Sequence, residues 1–173
     1  MSRSLVPRAI RLGLAAAAAL AFLPPLVTRL VMGQAFFLTG RGKLENMDSV
    51  VGFFTNLGIP FPELNAAFVS RLEFYGGVAL ILGLLTRLVA AGLASTMVVA
   101  LLTADRDSLV EALRMSGDTG LTDVVPFVYL VLLGWLIVFG PGPLSLDALL
   151  MRWLRTRGFT MAEPDASPQV ARA

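Results

Sequence analysis

Long stretches without a charged residue constrain this chain more than any other feature of its sequence. Five stretches of 11 to 23 residues lack Asp, Glu, Lys and Arg, and they lie at 12–28, 30–40, 74–86, 88–104 and 124–146. A helix that crosses a bilayer needs about 20 mostly apolar residues. The stretches therefore predict an all-α fold, an integral membrane four-helix bundle.

The composition agrees with lipid as the solvent and excludes several kinds of active site. The 173 residues are 56% hydrophobic and 15% charged, whereas soluble domains carry about 25% charged residues. The chain contains no Cys and no His, so we expect no haem, iron–sulfur cluster or zinc, and we predict that its sites bind no metal. One Lys and scattered Arg residues do not form the basic stripe that nucleic-acid binding needs, so no nucleic acid partner is expected.

The first apolar region is too long for one straight span, because Pro24 and Pro25 interrupt it. We predict an Ala-rich N-terminal lead-in helix over 9–23 and a first span over Pro24–Leu44. One long kinked helix is the alternative. A cleaved signal peptide is a further alternative, but no small-x-small cleavage site precedes the return of hydrophobicity, so an uncleaved anchor fits better.

Three more spans and three short helices are predicted from apolar periodicity and from turn residues. The spans are expected at 64–86, 88–104 and 124–140, with a tight turn at Thr86–Leu88. Short helices are expected at 46–57, at 107–115 and after Ser145, which is a good N-cap for an amphipathic surface helix.

The predicted organisation has three parts. Residues 1–23 form a cytoplasmic lead-in segment, 24–157 form the four-span membrane domain, and 158–173 form a disordered cytoplasmic tail rich in Pro, Ser and Ala.

The Lys and Arg residues predict the orientation, because cytoplasmic loops carry an excess of them. Four spans place both termini on one side, and that side holds nine of these residues: Arg3, Arg8, Arg11, Arg29, Arg87, Arg152, Arg155, Arg157 and Arg172. The other side holds five: Arg41, Lys43, Arg71, Arg106 and Arg114. We therefore predict a multi-pass membrane protein with both termini cytoplasmic.

Glu73 is the charge that topology does not explain. A charge inside a span costs about 2.5–3.5 kcal/mol on insertion scales, so it usually has a reason. At about 1.5 Å per residue, Glu73 and Gln34 lie at similar depths in neighbouring spans and could meet. Lys43 can reach inward and Arg71 can turn outward. Glu73, Gln34, Lys43 and Arg71 are therefore the candidate intramembrane polar site.

Two interpretations of this site remain open. The polar residues could form an interhelical clamp that fixes helix packing, which we favour, or a pocket that relays protons or hydrogen-bonds a quinone-like headgroup.

Seven Phe residues lie between positions 36 and 74. They fit aromatic anchoring at the membrane interface, and the more specific alternative is a stacking site for an aromatic headgroup.

Several motifs together resemble the DoxX family of bacterial membrane proteins. They are Arg29 with Gly33 and Phe36-Phe37, Gly40-x-Gly42-Lys43-Leu44, Leu57-Gly58-x-Pro60, Glu73-x-x-Gly76-Gly77, Leu82-Gly83-Leu84-Leu85-Thr86-Arg87 and Gly140-Pro141-Gly142-x-Leu144-Ser145-Leu146-Asp147. The similarity covers about 29–150. Besides Lys43 and Glu73, the family-like positions are Arg29, Arg87 and Asp147.

The resemblance implies a four-helix inner-membrane protein related to a membrane subunit of thiosulfate:quinone oxidoreductase. We expect an accessory subunit of a redox system, with quinone as the cofactor to consider. The alternative is a non-redox membrane scaffold or a protein that handles lipids or small molecules. The expected partners are membrane lipid and either a protein partner or a second copy in a homo-oligomer. Many relatives carry a His after the third span, where this chain has Thr103-Ala104-Asp105, so His-dependent chemistry is not expected.

Overall fold

The computed structural model describes residues 8–115 and 117–157, and these residues form eight helices. The helices are α1 (Arg8–Leu20), α2 (Leu23–Glu45), α3 (Met47–Asn56), α4 (Pro62–Leu82), α5 (Thr86–Leu102), α6 (Arg106–Arg114), α7 (Val125–Phe139) and α8 (Leu146–Thr156). The all-α prediction is confirmed. The predicted tail at 158–173 lies outside the described residues.

The lead-in helix and the first long helix are separate elements, as the sequence predicts. A turn at residues 21–22 divides α1 from α2, and Pro24 and Pro25 occupy the first turn of α2. Proline is tolerated there because its missing N–H would have no partner within the helix. The break is slight, so Gly13–Glu45 also counts as one helix of 33 residues when its length is compared with the thickness of a membrane.

Four helices pack into a closed bundle in which each contacts two neighbours. The contacting pairs are α2 with α4, α4 with α5, α5 with α7, and α7 with α2. All four pairs are antiparallel, since residues early in one helix lie beside residues late in its neighbour. Their inward faces form one apolar core, made of Met32, Phe36, Leu80, Ala90, Leu93, Ala94, Leu133 and Leu136.

The tight turn between α4 and α5 lies earlier than the sequence predicts. Helix α4 ends at Leu82, and the chain reverses through Gly83 and Leu85, which have φ of 69° and 49°. Thr86 already begins α5, so the predicted turn at Thr86–Leu88 is wrong. Glycine adopts a positive φ without steric cost, whereas Leu85 does so at a cost that propensities cannot anticipate.

The three short predicted helices are present at the two ends of the bundle. Helices α3 and α6 lie at one end, and α6 turns away from α5 by 79°. Helix α8 lies at the other end, where the hydroxyl of Ser145 accepts a hydrogen bond from the N–H of Ala148 at 3.1 Å. This bond confirms the predicted N-cap.

Length and apolar composition single out few of these helices as candidate membrane spans. The helix Gly13–Glu45 is long and apolar enough to cross a membrane. The bent pair Thr86–Leu102 and Arg106–Arg114 is so only when the two helices are counted as one span. Helix α7, Val125–Phe139, is apolar but has only 15 residues.

Candidate functional site

A buried ion pair joins the first and second long helices near the α3 end of the bundle. The ammonium of Lys43 on α2 donates to Oε1 of Glu73 on α4 over 2.6 Å. Glu73 is 2% exposed, while the Lys43 side chain is 33% exposed. The carboxylate is therefore enclosed by protein, and its cation reaches it from the rim.

Small residues bring α2 and α4 close enough for this pair to form. A Cβ added to Gly40 or Gly77 would fall closer than 3.0 Å to backbone atoms of the opposite helix, at Phe74 and Phe37 respectively. Such close backbone approach is the packing that small residues allow in membrane helices. Lys43 follows Gly40 by one turn, so the tight crossing places Lys43 against Glu73.

The pair opens onto a cavity of about 240 Å³, which we call the chamber. Helices α2, α3, α4 and α5 and the α3–α4 loop contribute its walls. Apolar and aromatic side chains dominate the lining, with a few polar groups among them. The lining residues are Lys43, Phe53, Phe54, Leu57, Ile59, Asn65, Phe68, Val69, Glu73, Ser95, Thr96, Met97, Val99, Ala100, Thr103 and Ala104.

The structure brings two of the four candidate polar residues together and leaves two outside. Gln34 is exposed and does not line the chamber. It precedes Lys43 by nine residues, which at about 100° per residue places it on the opposite face of α2. Arg71 is also exposed, and it donates to the carbonyl of Ala67 at 3.0 Å. Equal depth in the bundle therefore did not make Gln34 a neighbour of Glu73.

Three hydroxyl side chains, two on α5 and one at the residue that follows it, complete the polar part of the lining, and the sequence analysis did not predict them. Ser95, Thr96 and Thr103 all face the chamber. Their signal in the sequence is the pair Ser95-Thr96 in the middle of an apolar span. Within the described part of the chain, no group of three Asp or Glu residues is placed to hold a metal ion.

A second polar cluster joins the α4–α5 turn to the segment before α8, at the other end of the bundle. Asp147 accepts hydrogen bonds from the N–H groups of Leu85 at 2.7 Å and Thr86 at 2.9 Å, and its own N–H donates to the carbonyl of Gly83. The carboxylate thus caps the start of α5 from a distant part of the chain, in the manner of an N-cap. We call this cluster the clasp.

Two arginines add bonds at this end of the bundle, one to the segment before α8 and one to the end of α7. Arg29 is 3% exposed and donates to the carbonyls of Pro141 at 3.2 Å and Leu144 at 2.7 Å. Arg87 donates to the carbonyl of Val138 at 3.2 Å. The family-like positions Arg29, Arg87 and Asp147 therefore meet at the clasp, where every named bond is to backbone. These hydrogen bonds give the three residues a structural role.

The part of the chain that contains the chamber matches a known protein family. Residues 25–106 match the DoxX family model. The resemblance carried by the sequence motifs is confirmed over these residues. All lining residues of the chamber lie within the DoxX segment, whereas Asp147 of the clasp lies beyond it.

One curated relative extends the comparison. The chain is 33% identical over 78 residues to a Bacillus subtilis (strain 168) protein named "Putative oxidoreductase CatD". The aligned region covers 45% of this chain and 57% of that protein, so the chain spans a little over half of its relative's length. No solved structure matches the chain.

Proposed function

We propose that this DoxX-family protein is a four-span protein of a bacterial inner membrane, in which α2, α4, α5 and α7 cross the bilayer. The outer surfaces of these helices support the proposal, because they expose large apolar side chains that would be unfavourable in water. These include Val27, Val31, Leu38, Tyr75, Leu82, Leu88, Val98, Leu102, Val131, Trp135, Val138 and Phe139.

The proposed orientation places the clasp and α8 on the cytoplasmic side, with the nine-residue group of Lys and Arg. Helix α8 supports this placement, since it exposes Arg152 and Arg155 beside Trp153. Reporter fusions test it. Alkaline phosphatase should be active after residue 59 and inactive after residue 157, and the reverse pattern would overturn the orientation.

Within the membrane, we assign the protein the part of an accessory subunit in a quinone-linked redox system. The observation that carries this proposal is the buried Lys43–Glu73 pair in the wall of an apolar, aromatic chamber. Ligand sites of this kind combine an apolar lining with a few placed polar groups. The relative named as an oxidoreductase points the same way.

The chamber fits a single substituted ring. An engineered cavity of about 150 Å³ binds benzene, so about 240 Å³ holds a ring with small substituents. Lys43 and Glu73 would orient the polar edge of the ring, and Phe54 and Phe68 would contact its apolar part. A bound quinone supplies two-electron redox chemistry, which the side chains of a sequence without Cys or His do not.

Bound quinone can be measured directly. The protein is purified in mild detergent, and the extracted lipids are analysed by mass spectrometry. We compare Ala104→Phe, at the chamber just after α5, with Val98→Phe, at an exposed position of α5 that does not line the chamber. Quinone should be present in the wild type and in Val98→Phe and depleted in Ala104→Phe.

The opposite result has a defined meaning. Equal quinone in both variants, or none in the wild type, would overturn the assignment of the chamber to quinone. A stoichiometric lipid without quinone would instead support the non-redox alternative. Co-purification of a redox enzyme with the wild-type protein would identify the partner.

A further inference from the structure

Most unused hydrogen-bonding groups of the chamber are acceptors, and the most buried of them is a carboxylate oxygen of Glu73. Oε1 of Glu73 accepts from Lys43, while Oε2 is buried and has no hydrogen-bond partner. A buried acceptor without a donor costs free energy, and the cost is larger when the acceptor is charged. Rotation about the terminal torsion of Glu is soft, so a small movement would present this oxygen to a ligand in the chamber.

The hydroxyl groups on α5 and just after it also offer acceptors to a ligand. Ser95 donates to the carbonyl of Gly92 at 2.6 Å, and Thr96 donates to that of Leu93 at 2.7 Å. Thr103 donates to the carbonyl of Val99 at 2.7 Å. Each hydroxyl has one proton, which these bonds use, so the oxygen lone pairs are what remains for a ligand.

Asn65 and Lys43 complete the account of the polar lining. The amide nitrogen of Asn65 donates one N–H to the carbonyl of Pro60 at 2.6 Å, which leaves its second N–H and its amide oxygen free. Lys43 has N–H groups beyond the one bonded to Glu73, so it is a donor on the rim. Apart from the free N–H groups of Lys43 and Asn65, the polar side chains of the chamber offer only acceptors, and the buried one among them is Oε2 of Glu73.

We infer that the chamber selects ligands that donate hydrogen bonds, namely a single aromatic ring with a free hydroxyl, such as the headgroup of a quinol. The oxidised quinone has carbonyl oxygens, which only accept, so it leaves Glu73 Oε2 without a partner. The quinol provides an O–H for that oxygen. This inference rests on the proposed function for the identity of the ring, and it adds the redox form that the site prefers.

A pair of probes without redox activity tests donor selection on the wild-type protein. 4-Ethylphenol and its methyl ether, 4-ethylanisole, share a ring and differ in the O–H. A hydrogen bond to a charged, buried acceptor corresponds to at least about a tenfold difference in affinity. Isothermal titration in detergent should show the phenol binding at least about tenfold more tightly. Equal affinities, or tighter binding of the ether, would overturn the inference.

Two variants locate the effect. Glu73→Gln replaces the charged acceptor with an amide and should reduce the preference for the phenol to about threefold or less. Arg71→Gln, two residues away on the exposed face of α4, should retain it. A preference unchanged in Glu73→Gln would contradict the assignment to Glu73. The comparison of phenol with ether in the wild type stands even if the Glu73 variant does not fold.

A second pair separates this inference from the proposed function. A short-chain benzoquinone and its quinol are titrated without oxygen. Tighter binding of the quinol supports both proposals, while a quinone bound as tightly as its quinol overturns only the selection. If neither binds but the phenol exceeds its ether, the selection holds for a soluble phenol and the quinone-linked function fails. If none of the four compounds binds, both proposals fail.

Discussion

The ammonium of Lys43 lies 2.6 Å from a carboxylate oxygen of Glu73, and the two residues differ greatly in burial. Glu73 is enclosed, whereas Lys43 reaches it from a partly exposed position. Removing either partner therefore has unequal consequences. Loss of Lys43 leaves a buried charge without compensation, whereas loss of Glu73 leaves a lysine that can extend outward from its partly exposed position.

This asymmetry predicts the order of stability among three variants. Lys43→Met should destabilise the protein by up to about 3–5 kcal/mol, the range for an unpaired buried charge. Glu73→Leu should cost less, and the double variant should be more stable than Lys43→Met alone. Thermal unfolding in detergent, followed by Trp fluorescence, gives the order. A Glu73→Leu variant less stable than Lys43→Met would contradict it.

The crossing of α2 and α4 predicts a strong effect from adding one methyl group. Gly40→Ala places its Cβ against the backbone of Phe74, so the helices must separate, and we expect a loss of more than about 2 kcal/mol. Gly134→Ala is the matched control, because no atom lies within 4 Å of its added Cβ. Alanine also favours a helix over glycine by up to about 1 kcal/mol, so the control should be neutral or more stable. Melting temperatures in detergent would refute the close crossing if the two variants changed alike.

The hydrogen bonds of Asp147 predict that the last short helix stabilises the α4–α5 turn, which lies more than 60 residues earlier in the chain. Asp147→Ala leaves the N–H groups of Leu85 and Thr86 without their acceptors, and we expect a loss of about 1–3 kcal/mol. Asp118→Ala, at an exposed position, should change stability by less than about 0.5 kcal/mol. Chemical unfolding in detergent measures both. Similar losses in the two variants would argue against a special part for Asp147.

The two carbonyl contacts of Arg29 predict that even replacement by lysine weakens the clasp. Lysine has no planar fork with which to reach the carbonyls of both Pro141 and Leu144. We expect Arg29→Lys to loosen the segment before α8, so that trypsin cleaves at Arg152 and Arg155 faster by several-fold. Arg41→Lys, in an exposed i,i+4 pair with Glu45, is the control and should leave the cleavage rate unchanged. An unaltered rate in Arg29→Lys would contradict the clasp.

The helices themselves could be predicted from local sequence. Charge-free stretches, Pro24-Pro25 and the cap at Ser145 are local signals, and α1 to α8 lie close to the predicted ranges. The turn at Gly83–Leu85 was misplaced because the left-handed conformation of Leu85 is sustained by a distant residue, Asp147, whose carboxylate binds its N–H. No pattern near residue 85 reports that contact.

The candidate site was only partly predictable for a related reason. The cost of a charge in an apolar helix identified Glu73. Depth along the helix axis predicted Gln34 as its neighbour, and Lys43 was a candidate because its side chain can reach inward. Depth follows from residue number alone, but contact also depends on rotation about the axis and on how closely two helices approach. The sequence by itself determined which helices form and which charge needs a partner, because those depend on local periodicity and on solvation. Only the tertiary structure decided that Lys43 is that partner and that Ser95, Thr96 and Thr103 share its cavity, because the crossing at Gly40 and Gly77 sets which faces meet.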